Sequence, residues 1–323
     1  MHFTSPLWLS ALIPAIFAAS IGYSSLGVTT TSIGKLPNGS WAENLAVRAN
    51  GQLLVTLLTA PEIYQIDPFG SHETKLVKQL PVAGGLLGIT EIQHDVFAVV
   101  AGNLSLPGSC SVWKVDVNHT PAKSTKIADV LPAVILNGAT PLNENGSAIL
   151  VADSGAGVVY RIDTHSGNYT VVLDDPTMKI AANSTAPFGI NGVHIKGHYL
   201  YYTSSTQMLF ARIPIHPDGT AAGPAEIIAR SGLKDDFTFD RAGYAYVATN
   251  SDNTVQKITP SGNVTVIAGN INSALFAGAT AAQFGRTIAD SSVLYVTTDG
   301  EFTNAAGTTV LGTGGVVAIH GLE

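Results

Sequence analysis

Apolar and polar residues alternate in short runs along most of the chain, and the runs return in a fixed order. Leu53-Leu54-Val55-Thr56, Tyr244-Ala245-Tyr246-Val247 and Leu294-Tyr295-Val296-Thr297 are β-branched and aromatic runs of strand length. The segments VWKVD (112–116), VYRID (159–163) and VQKIT (255–259) alternate with period two, as strands with one buried face do. Asp-x-x-Gly and Pro-Ser-Gly clusters between them supply turns. Residues 235–269, DDFTFDRAGYAYVATNSDNTVQKITPSGNVTVIAG, state the full phrase of strand, turn, strand, turn and strand.

The phrase occurs six times, spaced by roughly 40 to 55 residues, the period of four-stranded propeller blades. A β-sandwich would not explain the repetition. The last copy stops at its third strand, GGVVAIHG, while residues 27–37, GVTTTSIGKLP, resemble the fourth strands ETKLVKQLP and STKIADVLP. The pattern therefore predicts an all-β, six-bladed β-propeller as one domain over residues 21–323. Its ring is closed by an N-terminal strand that completes the last blade and removes both exposed edges.

Composition changes this picture in three places. Charged residues are only 12% of 323, and the net charge of -7 comes without any Lys/Arg cluster, which argues against nucleic acid or an anionic membrane surface as partner. Residues 1–20, MHFTSPLWLSALIPAIFAAS, have the apolar stretch and small-x-small ending of a signal peptide and are too short to be a transmembrane anchor. With seven N-x-S/T sequons, at Asn38, Asn103, Asn118, Asn145, Asn168, Asn183 and Asn263, this predicts a glycoprotein of the secretory pathway or a secreted protein. The single cysteine, Cys110, leaves no partner for an intrachain disulfide.

The first strand of each blade lines a propeller's channel, so chemistry is expected where those strands begin. Around the ring the expected positions are Glu43-Asn44, Gly88-Ile89-Thr90, Asn137-Gly138, Asn191-Gly192, Asp235-Asp236 and Phe284-Gly285-Arg286. Carboxylates and amides converging on one axis make an oxygen-rich site suited to a hard divalent cation; as turn formers, Asn-Gly and Asp-Asp also simply build the start of a blade. Arg286 is a candidate to orient an anionic intermediate, or else to pair with Asp235 or Glu43. His194 is a candidate to face the channel, although a strand histidine is more often packed or on the surface. Phe188 and Phe237 are apolar candidates for contact with a hydrophobic substrate, and equally for ordinary core.

Glu43 in WAENLAV, Asn137 in ILNGAT, Asn191 in GINGVHI and Asp235 in DDFTFD resemble the senescence-marker-protein/gluconolactonase propellers, relatives of strictosidine synthase, across essentially the whole mature chain. That resemblance implies that Glu43, Asn191 and Asp235 hold one divalent cation (Ca, Zn or Mn) and that Asn137 helps to bind substrate. The chain departs from the lactonase pattern where it has Glu43-Asn44-Leu45 and Lys234-Asp235-Asp236 in place of Glu-Gly-Pro and Pro-Asp-Gly. It is also similar to the fungal hetero-Diels-Alderases of tropolone-sesquiterpenoid (meroterpenoid) biosynthesis. Those imply dehydration of a hydroxylated tropolone to a quinone methide and its cycloaddition to a humulene-type sesquiterpene, with no cofactor.

Three functions follow as expectations. The first is a pericyclase, with Glu43, Asp235 and Arg286 as catalytic residues and Asn137, Asn191, Phe188, Phe237 and His194 contacting a hydrophobic small molecule. The second is a metal-dependent lactonase using Glu43, Asn191 and Asp235. The third is a propeller that binds a small molecule without catalysis. The low charge and the apolar residues near the blade starts, including Leu275 and Phe276, suit the first better than a sugar lactone. Gly-x-Ser-x-Gly, His-Glu-x-x-His and Gly-rich phosphate loops are missing from the sequence, which disfavours serine hydrolases, zincins and nucleotide enzymes. The oligomeric state is not legible.

Overall fold

Six antiparallel sheets of four strands each form a ring in a computed structural model that describes residues 27–303 and 307–322. The expected leader, residues 1–20, lies outside the described residues. The innermost strands are Ala42–Val47, Gly85–Gln93, Leu136–Pro141, Ile190–Lys196, Lys234–Phe239 and Ala279–Phe284. Each contacts the next, and the sixth contacts the first. The strands read from the alternating pattern recur as second strands Leu53–Leu57, Ala245–Thr249 and Leu294–Thr298, and as third strands Ser111–Asp116, Val158–Asp163 and Thr254–Ile258.

Burial falls from the axis outward, which explains why the pattern was readable. In the first blade the two inner strands are wholly buried, while the outermost, Thr74–Gln79, has no buried residue. The core lies between blades, as apolar layers shared by neighbouring sheets. Hydroxyls lace adjacent blades together near the axis. Thr56 donates to the Leu87 carbonyl (2.7 Å), Ser154 to Ile190 (2.6 Å), Thr203 to Asp235 (2.6 Å) and Thr280 to Ala42 (2.7 Å). Each bond satisfies a buried carbonyl that the neighbouring sheet leaves open.

In the sixth blade the outermost strand is Thr29–Ile33, paired antiparallel with Val316–His320 from Thr29 opposite His320 to Ile33 opposite Val316. This blade also carries a hairpin, Glu301–Thr303 with Thr309–Leu311, between its second and third strands. Its inner strand corrects the sequence reading: Phe284-Gly285-Arg286 stands at the end of Ala279–Phe284, not at its start. Alanines 279, 281 and 282 give this strand no polar signature, whereas the turn after it carries a conspicuous arginine.

Candidate active site

Every inner strand is irregular near its start. Pairing with the second strand slips between Ala42 and Asn44, Leu86 and Ile89, Leu136 and Ala139, Ile190 and Val193, Lys234 and Phe237, and Ala279 and Ala281. A bulge bends its strand and redirects the side chains it carries. The six bulges hold Glu43, Leu87-Gly88, Asn137-Gly138, Asn191-Gly192, Asp235-Asp236 and Thr280. Four match the expected positions; the second blade differs by one residue and the sixth is displaced.

Three bulge glycines set the width of the ring. A Cβ on Gly88 would stand 2.4 Å from the Asn137 carbonyl oxygen, one on Gly138 2.6 Å from that of Asn191, and one on Gly192 2.2 Å from Asp236 Oδ1. The chain has a side chain at this level in blades one and five, and there Asn44 and Asp236 meet: Asn44 Nδ2 donates to Asp236 Oδ2 at 2.8 Å. Asp236 Oδ1 accepts from the Phe237 amide (2.8 Å) and faces His194 Nε2 at 3.0 Å. Blades one, four and five are thus tied together through one carboxylate.

Beside this knot lies a cluster of buried acids. Trp41 Nε1 donates to Glu43 Oε2 at 2.7 Å. Burial raises the Glu43 carboxyl to about 7, overcoming the Trp41 bond, with Asp299 and Asp236 adding to the rise. Burial also raises Asp235 well above the ordinary aspartate range, with Glu43, Asp236 and Asp299 repelling its charge and a bond from Asn191 opposing the shift. Asp299 is pushed up to about 7 by burial, although the Glu301 amide (2.6 Å) and Asn250 Nδ2 (3.0 Å) both donate to it. Close carboxyls in a dry site cannot all ionise together, so near neutrality the cluster holds both proton donors and proton acceptors.

Asp299 is the member of this cluster that sequence reasoning missed. It follows the second strand of the sixth blade in TTDG, which reads as a turn. Gly278, at φ 55°, makes room for it, since a Cβ there would stand 1.8 Å from Asp299 Oδ1. That accommodation is tertiary and leaves no local signal.

Of the remaining expected residues, Asn137 lies buried in the third-blade bulge. Phe237 is wholly buried, so it cannot present a face to a ligand; it packs on Phe210 (5.0 Å) and edge-on against His194 (4.7 Å), fixing the imidazole from behind. Phe188 is half-buried on the loop before the fourth blade and packs against the core shared by blades two and three. Arg286 is apart from the acids. It donates to the Val47 carbonyl (2.9 Å) and pairs with Glu91 at the opposite end of the channel. Val47 ends the strand on which Glu43 is second, about 13 Å away at strand rise. Arg286 therefore pairs with neither Asp235 nor Glu43, and its part is a clasp joining blades six, one and two.

The connections on the face where the inner strands begin are rich in exposed apolar side chains. Leu104, Leu106, Leu131, Val134, Met208 and Leu275 all stand on connections at this face, Leu131 and Leu106 with 66% and 53% of their surface exposed. The second residue from the expected apolar pair, Phe276, is buried.

The cation implied by the resemblance can be tested against the donors. Asn191 donates its amide to Ser205 Oγ (3.1 Å), but its Oδ1 is buried with no partner. An orphaned amide oxygen beside Glu43 and Asp235 is an all-oxygen set fit for a hard cation such as Ca²⁺, with neither imidazole nor thiolate to favour Zn²⁺. Among the described residues no three Asp, Glu, His or Cys side chains lie close enough together to share an ion, so the fit depends on Asn191.

No family model matches the chain. Comparison with curated proteins gives a relative from Phoma sp, 25% identical over 90% of this chain and 92% of its own length, provisionally named a hetero-Diels-Alderase. A second, from Sarocladium schorii, carries the same provisional name at 28% identity over 81% of this chain and 76% of its own. This is the resemblance read from the sequence. Among solved structures, a luciferin-regenerating enzyme superposes with a TM-score of 0.67 at 16% identity, covering 92% of this chain and 96% of its own. The calcium-binding protein regucalcin of Agrobacterium tumefaciens gives 0.60 at 17% identity, covering 91% and 92%. These likenesses agree with the six-bladed ring, and the names of the curated relatives agree with an enzyme of the Diels-Alderase type.

Proposed function

We propose that this protein is a hetero-Diels-Alderase that dehydrates a hydroxylated tropolone and guides the resulting quinone methide onto a humulene-type sesquiterpene. The observation that carries this reading is the cluster of buried carboxyls, with Glu43 and Asp299 raised to about 7, at the end of the ring whose connections carry exposed apolar side chains. In the first step a protonated carboxyl, Glu43 or Asp299, gives its proton to the departing hydroxyl. A carboxylate oxygen of the same cluster takes the tropolone O–H proton, and one water leaves. In the second step the C=C–C=O unit and the alkene form one C–C and one C–O bond with no atom lost. Here the protein contributes orientation in a dry setting, an effect that can reach several kcal/mol. Passage through the secretory pathway belongs to the same reading; six of the seven sequon asparagines are exposed, and Asn103 is partly so.

The decisive experiment supplies the purified protein with hydroxymethyl-tropolone and humulene and follows the adduct against the uncatalysed rate. Glu43→Gln and Asp235→Asn are each expected to lower the rate by about 10²-fold or more. A double variant that forms adduct as fast as the unaltered protein would sink the proposal.

A second reading rests on the orphaned Asn191 Oδ1. Glu43, Asn191 and Asp235 would hold a divalent cation, which supplies Lewis-acid polarisation of a lactone carbonyl when bound. In that case Glu43 and Asp235 are ionised and the exposed apolar side chains of that face are incidental. About one cation per chain after dialysis, with lactone hydrolysis lost on chelation, would favour it over the cycloaddition.

A further inference from the structure

The face away from the acids carries a second concave feature. Between blades four and five the sheets part into a cleft of about 170 Å³, edged by Lys196, Tyr201, Arg212, Phe239, Ala242 and Pro260. Lys196 ends the inner strand of blade four and Phe239 that of blade five, so the cleft opens at the opposite end from the bulges.

It sets cations against aromatic rings in a chain whose net charge is -7. The Lys196 ammonium stands 4.6 Å from the centre of the Phe239 ring, and the Arg212 guanidinium 4.4 Å from Tyr199 and 6.0 Å from Tyr201. Arg212 is neutralised by two bonds to Glu226 Oε2, at 2.9 and 2.7 Å. Among the described residues no carboxylate lies within ion-pair reach of Lys196. Tyr201 and Phe239 meet edge to face at 4.9 Å, leaving an aromatic wall at the cleft. Gly243, at φ 93°, keeps the lysine head in place, because a Cβ there would come within 2.7 Å of Lys196 Nζ.

We propose that this cleft is a binding site for a small planar aromatic acid. A cavity of about 150 Å³ accommodates one benzene ring, so the volume suits a single ring. The aromatic wall offers edge-to-face contact with that ring, and the Lys196 ammonium, already positioned by Phe239, meets its carboxylate. The site is separate from the acid cluster in position and opposite to it in charge.

The test titrates the purified full chain with benzoate by isothermal calorimetry or saturation-transfer NMR, with benzyl alcohol as the uncharged counterpart and cyclohexanecarboxylate as the non-planar one. Saturable benzoate binding is expected, with a dissociation constant on the order of 1 mM as its few atoms allow. Both comparison ligands should bind at least about tenfold more weakly, since each lacks one of the two recognition elements. Lys196→Met should weaken benzoate by a similar factor and Lys196→Arg should retain it, with unchanged melting temperatures showing that both variants fold. Equal binding of benzyl alcohol, undiminished benzoate binding to Lys196→Met, or no saturable binding at all would each overturn the proposal.

Discussion

At the residue scale the decisive feature is that acids are buried beside other acids. Glu43 and Asp299, raised to about 7, hold protons in the fold that they would release in the unfolded chain near pH 4. The folded state therefore binds more protons between about pH 4 and 7, and its stability is fully present below the unfolded values and declines as pH rises toward 7. Urea unfolding at pH 5 and pH 8 should differ by about 3 kcal/mol per group in favour of pH 5, and Asp299→Asn should remove part of that difference. A saturating divalent cation at Glu43, Asn191 and Asp235 would reverse the sign, because it binds the ionised forms. Lys234 acts in the other direction. Burial lowers its ammonium to about 7, and its Nζ reaches Ser231 Oγ at 3.0 Å. The unfolded chain binds the extra proton between about pH 7 and 10.5, so this residue makes stability rise over that window, and the rise should vanish in Lys234→Met when melting is followed from pH 7 to 10.

At the element scale the bulge repeated in six inner strands is what makes a site out of a scaffold. Without it the alternation of a regular strand would point half of these polar groups into the inter-blade core. The glycines that follow are part of the same device. Gly192→Ala would drive a methyl into Asp236, displacing the carboxylate that holds Asn44 and His194. We expect a loss of about 2 to 4 kcal/mol in stability and a still larger relative loss of activity, measured by chemical unfolding and by adduct formation.

Strand alternation was legible because burial changes so steeply from inner to outer strands. The four polar bulges were legible because Asn-Gly and Asp-Asp are unusual at the start of an apolar strand. Thr280 was not, since ATAAQF looks like any small-residue strand, and Arg286 in the following turn drew the eye away from it. Phe237 could be placed on the right strand but not on the right face, because a bulge whose length varies from blade to blade shifts the alternation after it.

At the scale of the whole molecule, the ring has six sheets, with hydroxyl bonds near the axis and apolar layers between blades. Removing residues 27–36 would strip the partner from Val316–His320 and uncover Val317 and Ile319, both now buried. The truncated protein should melt about 10 °C or more lower and aggregate through its bared strand, which calorimetry and light scattering would record. The other global feature is the contrast between a chain of net charge -7 and the exposed apolar side chains gathered on the connections of one face of the ring.

The strand Thr29–Ile33 has a consequence for the order of events in the cell. It leaves the ribosome before any blade, yet its place exists only after Val316–His320 has been made. Five blades can assemble while synthesis continues, but the sixth must wait for Val316–His320 and then take up a strand made before all the others. Pairing of the first strand of the ring with one of the last, and not growth of any other sheet, is the step that closes it.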